Sequence, residues 1–249
     1  MTQPDRSPLR DSPAALVTGA GRRLGAALAC ALADRGFNLI VHYNSSEDGA
    51  RATADYAASR GRDCLLLKMN LDDPLTPAHL FERATDHFSD IAILVNSASV
   101  FERASVLDTD ITLWNRHLAV NLTAPFFLSQ AFIRARAGRP GSILNMLDFR
   151  ASRPEPQHMA YGISKAGLQA MTQSLARACP DHIRVNGIAL GTILPPPPGT
   201  VDESVLIRRI PAKRWGTIEE LIETALFLLL GPAYITGEIV ALDGGRHLI

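Results

Sequence analysis

Tyr161 and Lys165 stand four residues apart in the stretch DFRASRPEPQHMAYGISK, which runs from Asp148 to Lys165. In a helix that spacing puts both side chains on one face. An ammonium beside a phenol favours the phenolate and lowers the tyrosine pKa, which makes the phenol usable as a general acid or base near neutral pH. Asp148 lies thirteen residues before Tyr161, where the β-type run from Gly141 to Leu147 should end. A solvated i,i+4 pair produces the same Tyr-x-x-x-Lys pattern, so the assignment depends on whether the rest of the chain builds a hydride-transfer site around it.

Hydride addition to an electrophilic carbon requires a proton at the neighbouring heteroatom. When the acceptor is a ketone, a hydroxyl can help hold the carbonyl oxygen, whereas a carboxylate would repel the developing oxyanion. For a ring C=N bond, charge builds on nitrogen and the demand is for proton delivery. Asp148 hydrogen-bonded to Tyr161 can relay that proton in a partly buried cleft. The competing assignment for Asp148 is a turn cap.

The elements that must position these groups follow an alternating pattern. Short apolar runs at Ala14–Thr18, Phe37–Val41, Cys64–Met69, Ile91–Val95, Ser142–Leu147, Ile183–Ile188 and Glu238–Leu242 predict seven strands. Helical patterns cover Leu24–Arg35, Asp48–Arg60, Thr76–Phe88 and Asp110–Arg136, with further helices after Gln157 and after Thr217. Pro125 should kink the long one. Strands alternating with crossover helices imply an α/β fold: a single doubly wound, Rossmann-type parallel seven-stranded sheet over residues 14–249. Residues 1–13 read as a disordered lead-in without the apolar core of a signal peptide. Residues 192–211, with the Pro195–Pro198 run, read as a substrate loop.

Two constellations at strand ends speak for a dinucleotide. The first strand is followed by Thr18-Gly-Ala-Gly-Arg-Arg-Leu-Gly25, a turn whose glycines let backbone approach a pyrophosphate at a helix N-terminus. Gly19, Arg22, Arg23 and Leu24 are its candidate cofactor contacts, with the Arg23 guanidinium expected over the phosphates. Idle arginines there would oppose the helix dipole. The second strand ends in Val41-His-Tyr-Asn-Ser-Ser46, with no acid before Glu47 to take a ribose 2′-hydroxyl. His42, Tyr43, Asn44 and Ser45, facing Arg22 or Arg23, favour a 2′-phosphate instead, and hence NADPH. Asn70 and Leu71 after strand three, and Asn96, Ser97 and Ala98 after strand four, extend the cleft. Asn121, inside the long helix, suits a tertiary hydrogen bond or a water relay toward Lys165, or else plain core packing.

Composition excludes other classes. The 249 residues carry 25 Lys plus Arg against 25 Asp plus Glu, which gives no electrostatic case for nucleic acid. Cys30, Cys64 and Cys179 are far apart, as suits reduced thiols in a cytoplasmic protein. The longest wholly apolar run, Ala225–Leu230, is too short for a membrane span. The 7 histidines lack metal-ligand spacing, so no metal site is expected.

In order and spacing these motifs resemble the short-chain dehydrogenases/reductases. The resemblance runs from about Leu16 to Arg246 through the glycine turn, Asn96-x-Ala98, Asn121, Tyr161-x-x-x-Lys165, Arg184-Val-Asn186 and Asp243-Gly-Gly. Three departures resemble the pteridine reductase subgroup, including the bacterial dihydromonapterin reductases. Arg23 stands at the family's middle glycine, His42-Tyr43 at its acid, and Asp148 at its serine. That likeness implies Tyr161 as proton donor, Lys165 as pKa modifier and ribose anchor, and Asp148 as relay. It also implies Arg23 as phosphate and substrate contact, Phe101 as the aromatic that stacks on a pterin, Thr192 in the nicotinamide loop, and a homotetramer. Ser97 in place of a second Asn, and Leu190-Gly191 in place of Pro-Gly, depart from the pattern. Two alternatives are a carbonyl reductase of the same fold and a non-catalytic NADP-binding sensor.

Overall fold

A computed structural model describes residues 12–194 and 203–249. The expected lead-in and the Pro195–Pro198 run fall almost entirely outside them. The described strands are β1 (Ala14–Val17), β2 (Asn38–Tyr43), β3 (Cys64–Lys68), β4 (Ile91–Asn96), β5 (Gly141–Asp148), β6 (Ile183–Leu190) and β7 (Ile239–Leu242). They form one sheet in the order β3-β2-β1-β4-β5-β6-β7, and every neighbouring pair is parallel. This is the seven-stranded α/β sheet that the alternation predicted.

The strands are apolar runs because both faces are covered. Val17, Val41, Val95 and Leu144 belong to one core layer, packed with Leu28 and Leu32 of helix α1 (Arg23–Asp34) and Leu228 of α8 (Ile218–Leu230). Leu16, Ile40, Leu94 and Ile143 belong to the other, packed with Leu80 and Phe81 of α3 (Thr76–His87) and Leu128 and Phe132 of α5 (Ala124–Arg136). Alternate residues of each strand feed opposite layers, as period-two geometry requires. The remaining helices are α2 (Glu47–Ser59), α4 (Ile111–Leu118), α6 (Met159–Ala178) and α7 (Glu203–Arg208). Among the described residues, none is long and apolar enough to cross a membrane.

Three differences from the sequence expectation bear on the site. The long helix expected over Asp110–Arg136 is split into α4 and α5 by a π-helical turn, Ala119–Thr123. Pro125 has no N–H to give the carbonyl four residues back, and the ladder widens so that the Ala124 N–H bonds Ala119 O. The turn puts Asn121 into the molecule's interior. Next, β5 runs on to Asp148, which pairs with Leu190 of β6, so that the carboxylate stands on the sheet's own edge. Finally, α7 occupies part of the stretch 192–211 that was expected to be loop.

The direction in which the chain winds across the sheet reverses between β1 and β4. From β1 the chain steps outward to β2 and β3, then returns to the other side as β4. Loops leaving the carboxyl ends of β1 and β4 therefore diverge and leave a crevice, where ligands bind in open α/β sheets.

Candidate active site

Thr18 closes the floor of that crevice. Its Oγ1 accepts hydrogen bonds from the Ser97 and Ala98 N–H groups, both at 3.0 Å, which ties the end of β1 to the end of β4. Gly19 follows with φ +67°, and a Cβ there would lie 2.9 Å from Ala98 Cα. A Cβ on Gly25 would lie 2.4 Å from Gly19 O, so only glycine lets α1 start this close to the turn. The α1 N-terminus has no side-chain cap and no acid in its first turn, which leaves its positive end open to an anion. These features fit a pyrophosphate.

Arg23 has φ +52°, in the left-handed region that favours glycine. Where the family pattern has glycine, this chain accepts the strain of a non-glycine residue, on the order of 1–3 kcal/mol. Arg22 and Arg23 are both exposed beside the crevice, and neither side chain has an ion-pair or hydrogen-bond partner among the described residues.

His42 corrects the expectation of a phosphate-binding imidazole. It is 2 % exposed and lies beneath the turn, where Nδ1 accepts the Gly19 N–H at 3.2 Å and Nε2 meets Met69 O at 3.1 Å. Burial pushes its pKa down to about 4, against a smaller opposing effect of the Met69 hydrogen bond. The ring is thus a neutral strut for the glycine turn, with no nitrogen left for a phosphate. Tyr43 is also buried. The polar groups that face outward at the end of β2 are Asn44 and Ser45. Asn70 is exposed and its Oδ1 accepts the Asp72 N–H, while Leu71 is buried.

Asn96 is buried, and its amide donates to Asn145 Oδ1 at 2.8 Å within the core. The Asn121 side chain is fully occupied. Its Oδ1 accepts from the Val100 N–H and Ser99 Oγ, and its Nδ2 donates to Val100 O and Ser164 Oγ. Of the roles expected for it, the side chain takes the tertiary hydrogen bond: it clamps the β4 loop against α6, and with all four of its side-chain hydrogen bonds made it has none left for a water relay toward Lys165.

Beyond that loop lies the proton site. Tyr161 Oη donates to Asp148 Oδ2 at 3.0 Å. The tyrosine is 6 % exposed, and burial first, then the charge of Asp148 and its hydrogen bond, raise its pKa well above the usual value. This reverses the expected direction. Lys165 does not reach the phenol oxygen: its Nζ lies 5.7 Å from the ring centre and donates to Met146 O at 2.7 Å. Burial lowers the Lys165 pKa to about 8. The cation that counters the rise at Tyr161 is Arg150. Phe101, 53 % exposed, meets the Tyr161 ring edge-to-face at 4.7 Å and stacks on the His158 ring at 4.5 Å.

The structure therefore gathers Asp148, Tyr161, Lys165 and Phe101 at one end of the crevice and the Gly19–Leu24 turn at the other. Thr192 follows β6, and its Oγ1 accepts from Arg246 at 3.1 Å. The sequence reading gave no role to Thr18, Arg150, His158 or Arg246. Thr18 carried a signal, a β-branched hydroxyl where a strand enters a glycine turn. The other three come from segments distant in sequence or from a loop, and only the fold brings them to Tyr161.

Comparison with known proteins agrees with this geometry. Residues 19–247 match the family described as Enoyl-(Acyl carrier protein) reductase. The chain is 32% identical over 241 residues to the 3-oxoacyl-(acyl-carrier-protein) reductase FabG of Escherichia coli, covering 94% of this chain and 97% of that one. Among solved structures it resembles FolM alternative dihydrofolate reductase 1 from Brucella suis in complex with NADP. That match has a TM-score of 0.87 and 33% identity, and covers 95% of this chain and 96% of the other. It resembles acetoin dehydrogenase from Enterobacter cloacae at a TM-score of 0.88 and 29% identity, over 95% and 96% of the two chains. With its parallel sheet, its glycine turn at the β1/β4 crevice and these relatives, the chain belongs to the short-chain dehydrogenase/reductase family of oxidoreductases.

Proposed function

We propose that this protein is an NADPH-dependent reductase of a pterin-like C=N bond. The observation that carries the reading is the Tyr161–Asp148 hydrogen bond of 3.0 Å beside the exposed ring of Phe101. A carboxylate next to the proton donor would repel the oxyanion of a ketone reduction, yet it serves an acceptor that needs a proton on nitrogen. The half-exposed phenyl ring offers a face to a flat heteroaromatic.

NADPH, when bound, would supply the hydride. The remaining roles belong to the chain's own residues. Gly19 and the open α1 N-terminus would seat the pyrophosphate, with Arg22 and Arg23 over it and Leu24 beside it. Asn44 and Ser45 would meet the 2′-phosphate, while His42 and Tyr43 support them from below. Asn70 and Leu71 would border the adenine, and the Ser97–Ala98 backbone and Thr192 the nicotinamide side. Lys165 would anchor the ribose. Tyr161, kept protonated by burial and by Asp148, would turn its proton from the carboxylate to the substrate nitrogen, and Asp148 would steer its return. The FolM relative, a dihydrofolate reductase by name and bound to NADP, supports both substrate class and cofactor.

A second reading, a carbonyl reductase, is favoured by the FabG and acetoin dehydrogenase relatives. A panel of dihydromonapterin, dihydrobiopterin, dihydrofolate and simple ketones separates the two. Turnover of at least one pterin is expected, and ketone turnover alone would sink the pterin assignment. Asp148→Ser discriminates them as well: it should raise ketone activity if Asp148 serves a C=N acceptor, and unchanged or lower ketone activity would favour the carbonyl reductase. We also infer a homo-oligomer, a tetramer by resemblance. Phe126 and Phe127 on α5 and Ile163 on α6 present exposed apolar side chains that a second copy would cover. A monomer in sedimentation would contradict this.

A further inference from the structure

The proton site does not end at Asp148. A chain of partly buried charged side chains continues from it. The Arg150 N–H donates to Asp148 Oδ1 at 2.9 Å, and Arg150 Nη1 donates to the same oxygen at 3.2 Å. Arg150 Nε donates to Glu155 Oε2 at 2.8 Å. On its other oxygen, Glu155 faces Arg246 Nη2 at 3.8 Å, and Arg246 Nη1 reaches Thr192. Both guanidinium groups lie against Phe149, the Arg246 Cζ at 4.3 Å and the Arg150 Cζ at 4.6 Å from the ring centre. Arg150 also lies 5.2 Å from the Phe101 ring. The Arg150 side chain is 15% exposed and that of Asp148 14%.

Burying an arginine among aromatics is costly unless its fork is satisfied, and this one bridges two carboxylates. The hydrogen bond to Tyr161 by itself would leave the Asp148 carboxylate able to turn about its terminal torsion, which is broad for aspartate. The Arg150 backbone N–H holds Oδ1, and Arg150 Nη1, on the same oxygen and braced by Glu155, restricts that freedom further. We propose that Arg150 is a positioning residue for proton delivery, locking the Asp148 carboxylate beneath the Tyr161 hydroxyl and, through Glu155 and Arg246, tying the proton site to Thr192. This rests on the reading that Tyr161 delivers the proton, and it does not depend on which atom of the substrate receives it. The charged or titratable groups that face the proton site around Tyr161 are Asp148 from β5, Arg150 and Glu155 from the following loop, His117 from α4, whose ring centre lies 6.4 Å from that of Tyr161, His158, Lys165 from α6, and Arg246 from the C-terminal turn.

Because the Arg150 backbone N–H survives any non-proline substitution, Arg150→Met removes the guanidinium alone and leaves the turn cap in place. The test uses the full chain with 13Cζ-labelled tyrosine, in which Tyr161 is one of 4 tyrosines and is assigned by its loss in Tyr161→Phe. At neutral pH the Tyr161 signal in Arg150→Met should move toward its position in Asp148→Asn, and Arg150→Lys should restore part of the shift. The turnover number on whichever substrate class the wild type accepts should fall about tenfold, within what a misplaced catalytic group costs. NADPH affinity should fall less than the turnover number, because the pyrophosphate and 2′-phosphate contacts lie at the other end of the crevice and only Thr192 is reached, through Glu155 and Arg246. An unmoved Tyr161 signal in a folded Arg150→Met protein overturns the proposal. If Arg150→Met does not fold, Arg150→Gln and Glu155→Gln give the same readout. The spectra need no substrate, so failure of the pterin assignment, read from the wild-type panel, is separate from failure of this one.

Discussion

The two ends of the crevice are made of different material. At the glycine-turn end the groups lining the crevice are backbone N–H groups, small residues, a helix terminus and the exposed Arg22 and Arg23, braced from below by Thr18 Oγ1 and a neutral His42. At the proton end the working groups are charged side chains, Asp148, Arg150, Glu155, Lys165 and Arg246, packed around Tyr161 and Phe149. A pyrophosphate asks for donors that any backbone supplies, provided no Cβ stands in the way. Proton transfer asks for one group with one charge environment, which only particular side chains create. A turn of the first kind can serve many substrates, whereas a charge environment of the second kind depends on particular side chains.

That contrast can be broken at either end, and the largest effect belongs to the proton end. Tyr161→Phe should lower the turnover number by roughly 10²–10⁴-fold while NADPH still binds, as removal of a general acid does. Fluorescence titration of NADPH beside steady-state rates checks both halves, and a comparable loss of binding would mean that the two ends are not separate. Next, Gly19→Val forces a β-branched residue to φ +67° against Ala98. The strain and overpacking together should cost about 4 kcal/mol, read as a drop in unfolding midpoint and in NADPH affinity.

A pH experiment addresses the strut beneath the turn. The His42 pKa, about 4, lies below the ordinary 6.5, so the neutral ring's contribution to stability is fully present above pH 6.5. It is lost progressively as the pH falls from 6.5 to about 4, because over that range the unfolded state binds a proton that the buried ring does not. The loss should be on the order of 3 kcal/mol. Urea denaturation of wild type and His42→Gln at pH 7 and pH 4 would show it as a difference between the two slopes with pH. Parallel behaviour would remove His42 from the interior. The smallest effect is expected from Ser45→Asp, which places an acid where the outward-facing polar groups of β2 end. The ratio of NADPH to NADH affinity should fall roughly tenfold, about 1.4 kcal/mol. An unchanged ratio would place the 2′-phosphate elsewhere.

Much of this was legible before any coordinates. Apolar runs alternating with helical patterns predicted the seven strands to within a few residues, since a doubly covered sheet leaves no room for polar positions inside its strands. The Tyr161–Lys165 spacing and Asp148 at a strand end were legible for the same reason: residues four apart on a helix, or last on a strand, have places that local geometry dictates. The likeness to the pteridine reductase subgroup rested on Arg23, His42-Tyr43 and Asp148, and the positive φ of Arg23 suits a position where the family has glycine.

What local geometry could not supply was direction. His42 was legible as a polar residue at the end of β2, yet which face of the strand it took depended on β3, where Met69 O receives its ring. Asn121 was an amide in a helix until the π turn forced by Pro125 turned it onto Ser99, Val100 and Ser164. Lys165 was expected to lower the Tyr161 pKa, but its ammonium bonds Met146 O, and burial and Asp148 raise that pKa instead. The sequence alone determined the fold, the family resemblance and the residue types at the site, because these follow from periodicity and spacing. Only the tertiary structure decided which cation stands beside the proton pair. Arg150, Glu155 and Arg246 meet there through packing between a loop and a chain end about ninety residues apart, and no local pattern records such contacts.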